Sequence, residues 1–237
     1  VDPHLRFLFN LPLFFLIKKT FHMKRMMMAA LVSLCFAFGA SAQSPVSKFL
    51  KNIYGAEVTK LDSKVFKEYY QVMLPQLLDH EQPNGKRFRQ RIFIGFMDQS
   101  AVTVMETDGY AFTRAENPNF QDEPQKMFGG NVIYVEHRYF AKSVPDSLDY
   151  RFLTMDEACA DYHYIRETLG VLFTGKWIGT GISKGGQMAT AWKMYYPKDV
   201  DLTIAYVAPL NMGLEDARIY HHFETVGDAS TRKKIDA

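Results

Sequence analysis

Cysteine is scarce in this sequence: its 237 residues hold two, Cys35 and Cys159. Cys35 falls in an apolar N-terminal segment that reads as a leader, so Cys159 stands alone in the remainder and no intrachain disulfide is expected there. A basic excess is also lacking. The formal net charge is +2, but five of the 28 Lys and Arg (Arg6, Lys18, Lys19, Lys24, Arg25) lie in the first 42 residues, against Asp2 alone. The rest is weakly acidic and has no basic block, which leaves no electrostatic case for binding nucleic acid. The apolar stretch at residues 5–17 falls short of the about 20 residues that span a bilayer. There is no heptad run, no collagen-like period and no internal repeat, which excludes coiled-coil and solenoid architectures. What is present is ordinary for an ordered protein: 47% hydrophobic and 23% charged residues, in a chain long enough for one domain with a sizeable core.

The N-terminus reads as targeting sequence. Met23-Lys24-Arg25 is a short basic region, residues 26–38 are an apolar segment of signal-peptide length, and Ala40-Ser41-Ala42 supplies the small residues of a cleavage site. The expectation is a leader of translated upstream sequence at 1–22, a signal peptide at 23–42 cleaved after Ala42, and the N-terminal part of a folded domain at 43–237, secreted or periplasmic and without stable membrane insertion. Leu34 precedes Cys35 where a lipoprotein signal requires a small residue, so no lipid anchor is expected.

Residues 44–51 read as a short polar entry, and 60–78 as a helix or an extended lead-in, with Val65, Phe66, Tyr69, Val72 and Met73 near helical spacing. Pro83-Asn84-Gly85 marks a loop at 80–87. Strands are expected at 88–96, 101–105, 130–135, 176–180 and 201–208, a polar loop at 117–127, and a further loop at 143–150. Thr154 with Glu157 three residues on forms a helix start, for a helix closing at Gly170, and a second helix is expected over 184–196. Strands alternating with helices after residue 150 indicate an α/β fold with a mostly parallel sheet flanked by helices, whose active site belongs outside the carboxyl ends of the strands.

The informative segment is Gly181-Ile182-Ser183-Lys184-Gly185. Gly-x-Ser-x-Gly between a strand and a helix is the pattern of a nucleophile elbow, in which a sharp strained turn projects the serine hydroxyl from the sheet. Side chains two residues before or after the serine would strike the neighbouring strand and helix, and Gly181 and Gly185 remove them. The Lys184 N–H, at the helix start, is the natural first donor of an oxyanion hole. The Gly109–Tyr110 backbone, in the loop after the strand at 101–105, is the candidate second donor. Glu106 and Asp108 beside it are candidates for holding a substrate ammonium. Arg138 is expected to pair with a carboxylate and brace the site. The competing reading makes the glycines packing devices and Ser183 a helix cap. His137 is expected to hold a structural hydrogen bond, His163 to lie on a helix surface or in packing, and Asp199 and Asp201 to be turn and strand-entry residues. His221-His222 point apart on a helix and lack a third ligand, so no metal site is expected, and nothing calls for a cofactor.

Four stretches resemble the secreted tripeptidyl aminopeptidase family of serine exopeptidases and, more distantly, the prolyl carboxypeptidase group: Glu136-His137-Arg138-Tyr139-Phe140; Asp156-Glu157-Ala158-Cys159-Ala160-Asp161; Gly179-Thr180-Gly181-Ile182-Ser183-Lys184-Gly185-Gly186; and Tyr195-Tyr196-Pro197-Lys198-Asp199-Val200-Asp201 leading to Tyr206-Val207-Ala208-Pro209-Leu210-Asn211. The likeness spans most of residues 60–230. It implies an α/β-hydrolase core with a helical lid after the sixth strand, peptide substrates cut from a free N-terminus, and Ser183 as nucleophile. The family's acid and histidine lie further along than Ala237, so the resemblance makes this an N-terminal part, inactive and poorly stable alone. A carboxylester hydrolase on the same fold, or a binding-only chain, are the alternatives.

Overall fold

The computed structural model describes residues 43–235; the leader and signal-peptide expectations lie outside them. Among these residues no helix is long and apolar enough to cross a membrane. The elements in order are α1 (Pro45–Asn52), β1 (Glu57–Leu61), β2 (Glu68–Leu77), β3 (Arg87–Phe96), β4 (Thr103–Thr107), α2 (Glu123–Phe128), β5 (Asn131–Val135), α3 (Met155–Gly170), β6 (Trp177–Ile182), α4 (Lys184–Tyr195), β7 (Leu202–Tyr206), α5 (Ala217–Thr225) and α6 (Ala229–Ile235). The seven strands form one sheet in the order β1-β2-β3-β5-β4-β6-β7. β1, β2, β3 and β5 pair antiparallel in succession, whereas β5, β4, β6 and β7 run parallel. This is the α/β-hydrolase arrangement, with the strand that precedes the Gly-x-Ser-x-Gly turn in the parallel half.

Strand alternation divides the core in two. Tyr70, Val72, Leu74, Ile92, Ile94, Met105, Ile133 and Val135 point to one face, where α1, α3 and α4 contribute Leu50, Cys159, Tyr162, Ile165, Met188 and Trp192. Their strand neighbours Tyr69, Phe93, Val104, Val132, Tyr134 and Ile178 point to the other, beneath Phe112, Ala115 and Phe120. Period-two geometry alone separates these sets. Cys159 is fully buried in α3, and burial pushes its thiol up to about 12, which keeps it an inert packing residue as expected.

Two sequence expectations are corrected and one is decided between its alternatives. Residues 60–78 are extended rather than helical: they form the end of β1 and all of β2. Tyr70, Val72, Leu74 and Gln76 of β2 are buried and alternate with partly exposed residues, but Met73, Pro75 and Leu77 occupy the partly exposed positions and Tyr69 is buried beside Tyr70, so the apolar residues do not alternate in the sequence. Pro75 is tolerated in β2 because β1 pairs with it only as far as Met73. Residues 44–51 are largely helical, burying Val46, Ser47 and Leu50. The loop at 117–127 contains most of α2, capped by the Asp122 side chain with a proline in its first turn. The strands at 88–96, 130–135 and 176–180, the loops at 80–87 and 143–150, and the Thr154 cap donated to by the Glu157 N–H match. The strand at 101–105 lies two residues later, at Thr103–Thr107.

Arg138 braces the carboxyl end of the sheet. Its guanidinium is wholly buried and grips Asp161 of α3 through Nε and Nη2, both at 2.8 Å. It also donates to the carbonyls of Leu77, Leu78 and Phe152. His80 meets the same Asp161 carboxylate at 2.8 Å. Breaking a buried pair by removing one partner costs about 3–5 kcal/mol, because the other charge is left uncompensated. Arg138→Met is therefore expected to lower unfolding free energy by that much in urea titration, and Arg138→Met with Asp161→Leu to recover a substantial part. Equal losses in the single and double variants would contradict the pairing.

Candidate active site

The carboxyl ends of β4, β5, β6 and β7 lie along one edge, because Thr107 pairs with Val135, Glu106 with Thr180 and Ile182 with Tyr206. Of the four non-glycine residues with positive φ among the described residues, Tyr139 and Ala141 lie in the loop following β5, Ser183 follows β6 and Val207 follows β7. Such strained backbone persists only where the surroundings over-determine it, and it concentrates at functional sites.

Ser183 sits at φ 55° and ψ −122° between β6 and α4, and its side chain makes no cap bond to the helix. Its N–H donates to the Tyr206 carbonyl at 2.9 Å, and its carbonyl accepts from the Gln187 N–H at 2.9 Å. The turn is therefore anchored on the β7 and α4 sides while the side chain is exposed. A Cβ on Gly181 would lie 2.7 Å from the Thr107 carbonyl oxygen and closer still to the Gly185 backbone, and one on Gly185 would run into the same Thr107 oxygen. Both glycines are there because three backbones meet. The Thr107 hydroxyl lies 2.9 Å from the Gly185 carbonyl and 3.2 Å from that of Thr180 and donates toward them, tying β4 to both sides of the turn.

The loop after β4 lies against the start of α4. A Cβ on Gly109 would fall 2.7 Å from Lys184 Cγ and 3.0 Å from the Gly185 nitrogen. The Lys184 ammonium rests 4.9 Å from the Tyr110 ring centroid and 5.0 Å from that of Phe140. These two rings meet edge to face. Partial burial lowers the Lys184 pKa, against the pull of Asp108. The structure thus brings Ser183, the Lys184 N–H and the Gly109–Tyr110 loop together. Within that loop the Tyr110 N–H is already donated to Asp108 Oδ1 at 3.0 Å.

Among the described residues no imidazole is hydrogen-bonded to Ser183. His137 is buried, with Nδ1 2.8 Å from the Arg138 carbonyl. Burial, then the charge of Lys184, pulls its pKa down to about 4, so it is a neutral structural donor, as its motif suggested. His163 contacts the Asp199 carboxylate at 2.9 Å and stacks on Tyr196. His163, Glu167 and Asp199 each bring one possible ligand atom within 4.8 Å of the others, but Asp199 Oδ2 already accepts from the Trp192 indole at 2.8 Å. Asp201 receives the Trp177 N–H at the strand entry.

Sequence reading missed two carboxylates. Glu136 is completely buried and accepts from Arg91, the Phe112 N–H, the Lys142 N–H and the Ser143 hydroxyl, which gathers the loops after β4 and β5. Asp122 lies beside Glu106. The Asp122-Glu123-Pro124 sequence, an N-cap followed by proline in the first turn, is the signal that could have placed it. Burial, followed by the charge of Asp122 and against the pull of Arg114, pushes the Glu106 carboxyl up to about 8. Asp108 is engaged on both oxygens, by the Tyr110 N–H and by Arg114 at 3.3 Å. A cleft of about 740 Å³ lined by Tyr54, Pro75, Phe88 and Val144 contains none of these residues. A smaller cavity of about 240 Å³ lies against Ile182 and is lined by Glu106 and Asp122.

A carboxyl that titrates near 8 in the folded chain and near ~4.3 when unfolded binds a proton on folding across that window. Its stabilisation is complete below the unfolded value and is lost as pH rises through the folded one. The thermal midpoint of the wild-type protein is thus expected to fall further between about pH 5 and pH 8 than that of Glu106→Gln, which cannot ionise. Parallel curves would contradict the assignment.

Residues 45–237 match the PS-10 peptidase S37 family. The chain is 34% identical over 163 residues to the prolyl tri/tetrapeptidyl aminopeptidase of Streptomyces mobaraensis, a match covering 68% of this chain and 34% of that protein. It is 24% identical over 205 residues to the human lysosomal Pro-X carboxypeptidase, covering 79% of this chain and 41% of that one. The matches thus span about a third to two fifths of those relatives. A similar solved structure is acetyl xylan esterase 1 from Thermoanaerobacterium, with a TM-score of 0.47 and 13% identity over 78% of this chain and 67% of that one. The strand order, the glycine-flanked turn and the matched sequence agree, and the chain belongs to the PS-10 peptidase S37 family.

Proposed function

We propose that Ser183 is the nucleophile of an exported serine peptidase that releases short peptides from free N-termini. The observation that carries this reading is the exposed serine at φ 55° and ψ −122° in a turn closed on both sides by glycine and backed by a helix start. In this mechanism the Ser183 hydroxyl attacks the substrate carbonyl and the Lys184 and Gly109 N–H groups hold the developing oxyanion. The amine leaves, and water then releases the acyl group from Ser183. A serine needs a general base to act, and in this reading that base lies outside the described residues. The substrate class follows the aminopeptidase relative, and export follows the segment at 23–42. Gly181 and Gly185 keep the turn closed, while Arg138 supports the strand ends behind it.

A fluorophosphonate probe with the full-length protein tests the nucleophile. Labelling that disappears in Ser183→Ala, together with hydrolysis of a tripeptide anilide in preference to a short-chain ester, is the expected result. Labelling that persists in Ser183→Ala would move the nucleophile elsewhere, and ester preference would favour a carboxylester hydrolase.

A further inference from the structure

Three side chains with metal-ligating atoms meet at the amino end of the parallel strands, away from Ser183. His163 and Glu167 are four residues apart on α3 and so share one face of it. Asp199 lies in the turn between α4 and β7. One possible ligand atom from each lies within 4.8 Å of the other two. Asp199 precedes β7, whereas Ser183 follows β6, which runs parallel to β7. The length of the six-residue strand β6, roughly 20 Å, therefore separates the cluster from the reacting turn.

Two of the three side chains are already fixed in place. The Asp199 side chain is 6% exposed, and its Oδ2 accepts from the Trp192 indole at 2.8 Å. Its N–H donates to the Tyr196 carbonyl at 3.1 Å, and its own carbonyl accepts from Arg166 Nε at 2.9 Å. The His163 ring stacks on Tyr196, with centroids 4.2 Å apart and planes 7° apart. Its Nδ1 lies 3.1 and 2.9 Å from the two Asp199 oxygens. Contacts of this kind orient metal ligands from behind. What the cluster lacks is a counter-charge. A buried carboxylate requires compensation, yet the nearby cations serve other groups. The Arg166 guanidinium lies over the Trp177 ring, and the Lys193 ammonium donates to the Pro197 and Val200 carbonyls. Among the described residues the ionic partner of Asp199 is His163, and an imidazole, unlike Lys or Arg, is not a permanent cation. Glu167 is exposed beside this pair and adds a second negative charge.

We propose that His163, Glu167 and Asp199 bind a zinc ion that ties α3 to the turn between α4 and β7. One imidazole nitrogen and two carboxylate oxygens suit zinc, with water as the fourth ligand of a tetrahedron. Calcium instead takes about six to eight oxygens. With metal–ligand bonds of about 2.0–2.2 Å, tetrahedral ligands stand about 3.4 Å apart. The His163 and Asp199 atoms therefore need to separate only slightly, and the exposed Glu167 side chain closes the remaining distance by rotating. His163 coordinates through Nδ1 with its ring proton on Nε2. Asp199 coordinates through Oδ1, which keeps the Trp192 bond to Oδ2. The ion lies too far from Ser183 to take part in acyl transfer, so its role is structural, and the assignment does not depend on the reading of Ser183.

Calorimetric titration of the full-length, tag-free protein with zinc alone and with calcium alone, after treatment with a chelator, tests this. The wild type and Ser183→Ala are expected to bind zinc at a site that calcium does not fill, and added zinc should raise the thermal midpoint of both. Loss of an outer-shell partner typically costs about 10–100-fold in metal affinity, and loss of a direct ligand should cost no less. His163→Gln and Glu167→Gln are therefore each expected to weaken zinc binding at this site by more than about tenfold and to reduce the zinc-dependent rise in midpoint. Glu167→Gln changes an exposed side chain and is expected to fold, so its result stands whatever His163→Gln does to stability. Absence of zinc binding, or zinc binding undiminished in either variant, would overturn the site. Calcium binding as tight as that of zinc, with no loss in His163→Gln, would also overturn it, because the carboxylates alone would then hold the ion.

Discussion

The site depends on a steric constraint: β4, β6 and α4 approach until their backbones touch, and side chains are excluded at Gly109, Gly181 and Gly185. This clearance holds Ser183 in left-handed backbone that a serine would not adopt alone. It also lets the Thr107 hydroxyl reach the carbonyls of Thr180 and Gly185, and places the Gly109 loop beside the first N–H of α4. The Lys184 side chain packs across Gly109 toward Tyr110 and Phe140 and so holds the neighbouring loop against the start of α4.

Behind the turn, buried charge is handled in two ways. Arg138 with Asp161 is surrounded by donors and acceptors that use the groups it buries, and Glu136 accepts from Arg91, whose Nε has no partner, and from the Ser143 hydroxyl. These networks tie the loops that leave β5 to the strand ends. Glu106 and Asp122 lie at the same edge and interact with each other. The two cases differ in exposure to a cavity: Glu106 and Asp122 line one beside the turn, whereas Arg138 and Asp161 are sealed between β2, β3 and α3.

Much of the parallel half of the sheet was legible in the sequence. β-branched residues mark β5, Thr154 with Glu157 marks the start of α3, and Gly-x-Ser-x-Gly marks the turn after β6. The antiparallel half was less so. In β2 the partly exposed positions also hold apolar residues, Met73, Pro75 and Leu77, so apolar residues occur without alternation and mimic a helix. Its partner β1 is short and half-exposed, and carries little hydrophobic signal. The site was legible where covalent geometry dictates residue type, at Ser183 and its glycines. It was not legible where it depends on folding distant polar residues together. Asp122 reads as loop, Asp161 as one acid among several on a helix, and Glu136 as part of a motif whose partners Arg91, Phe112 and Ser143 only the tertiary structure identifies.

In the proposed mechanism the turn presents the Ser183 oxygen to a carbonyl whose oxyanion is held by backbone donors from α4 and from the loop after β4. A crystal structure of the protein after phosphonate treatment tests this most directly. The account predicts an adduct on Ser183 Oγ, with one phosphonyl oxygen within hydrogen-bonding distance of both the Lys184 N–H and the Gly109 N–H. An adduct on another residue, or one on Ser183 with its oxygen turned to solvent and away from both donors, would contradict it.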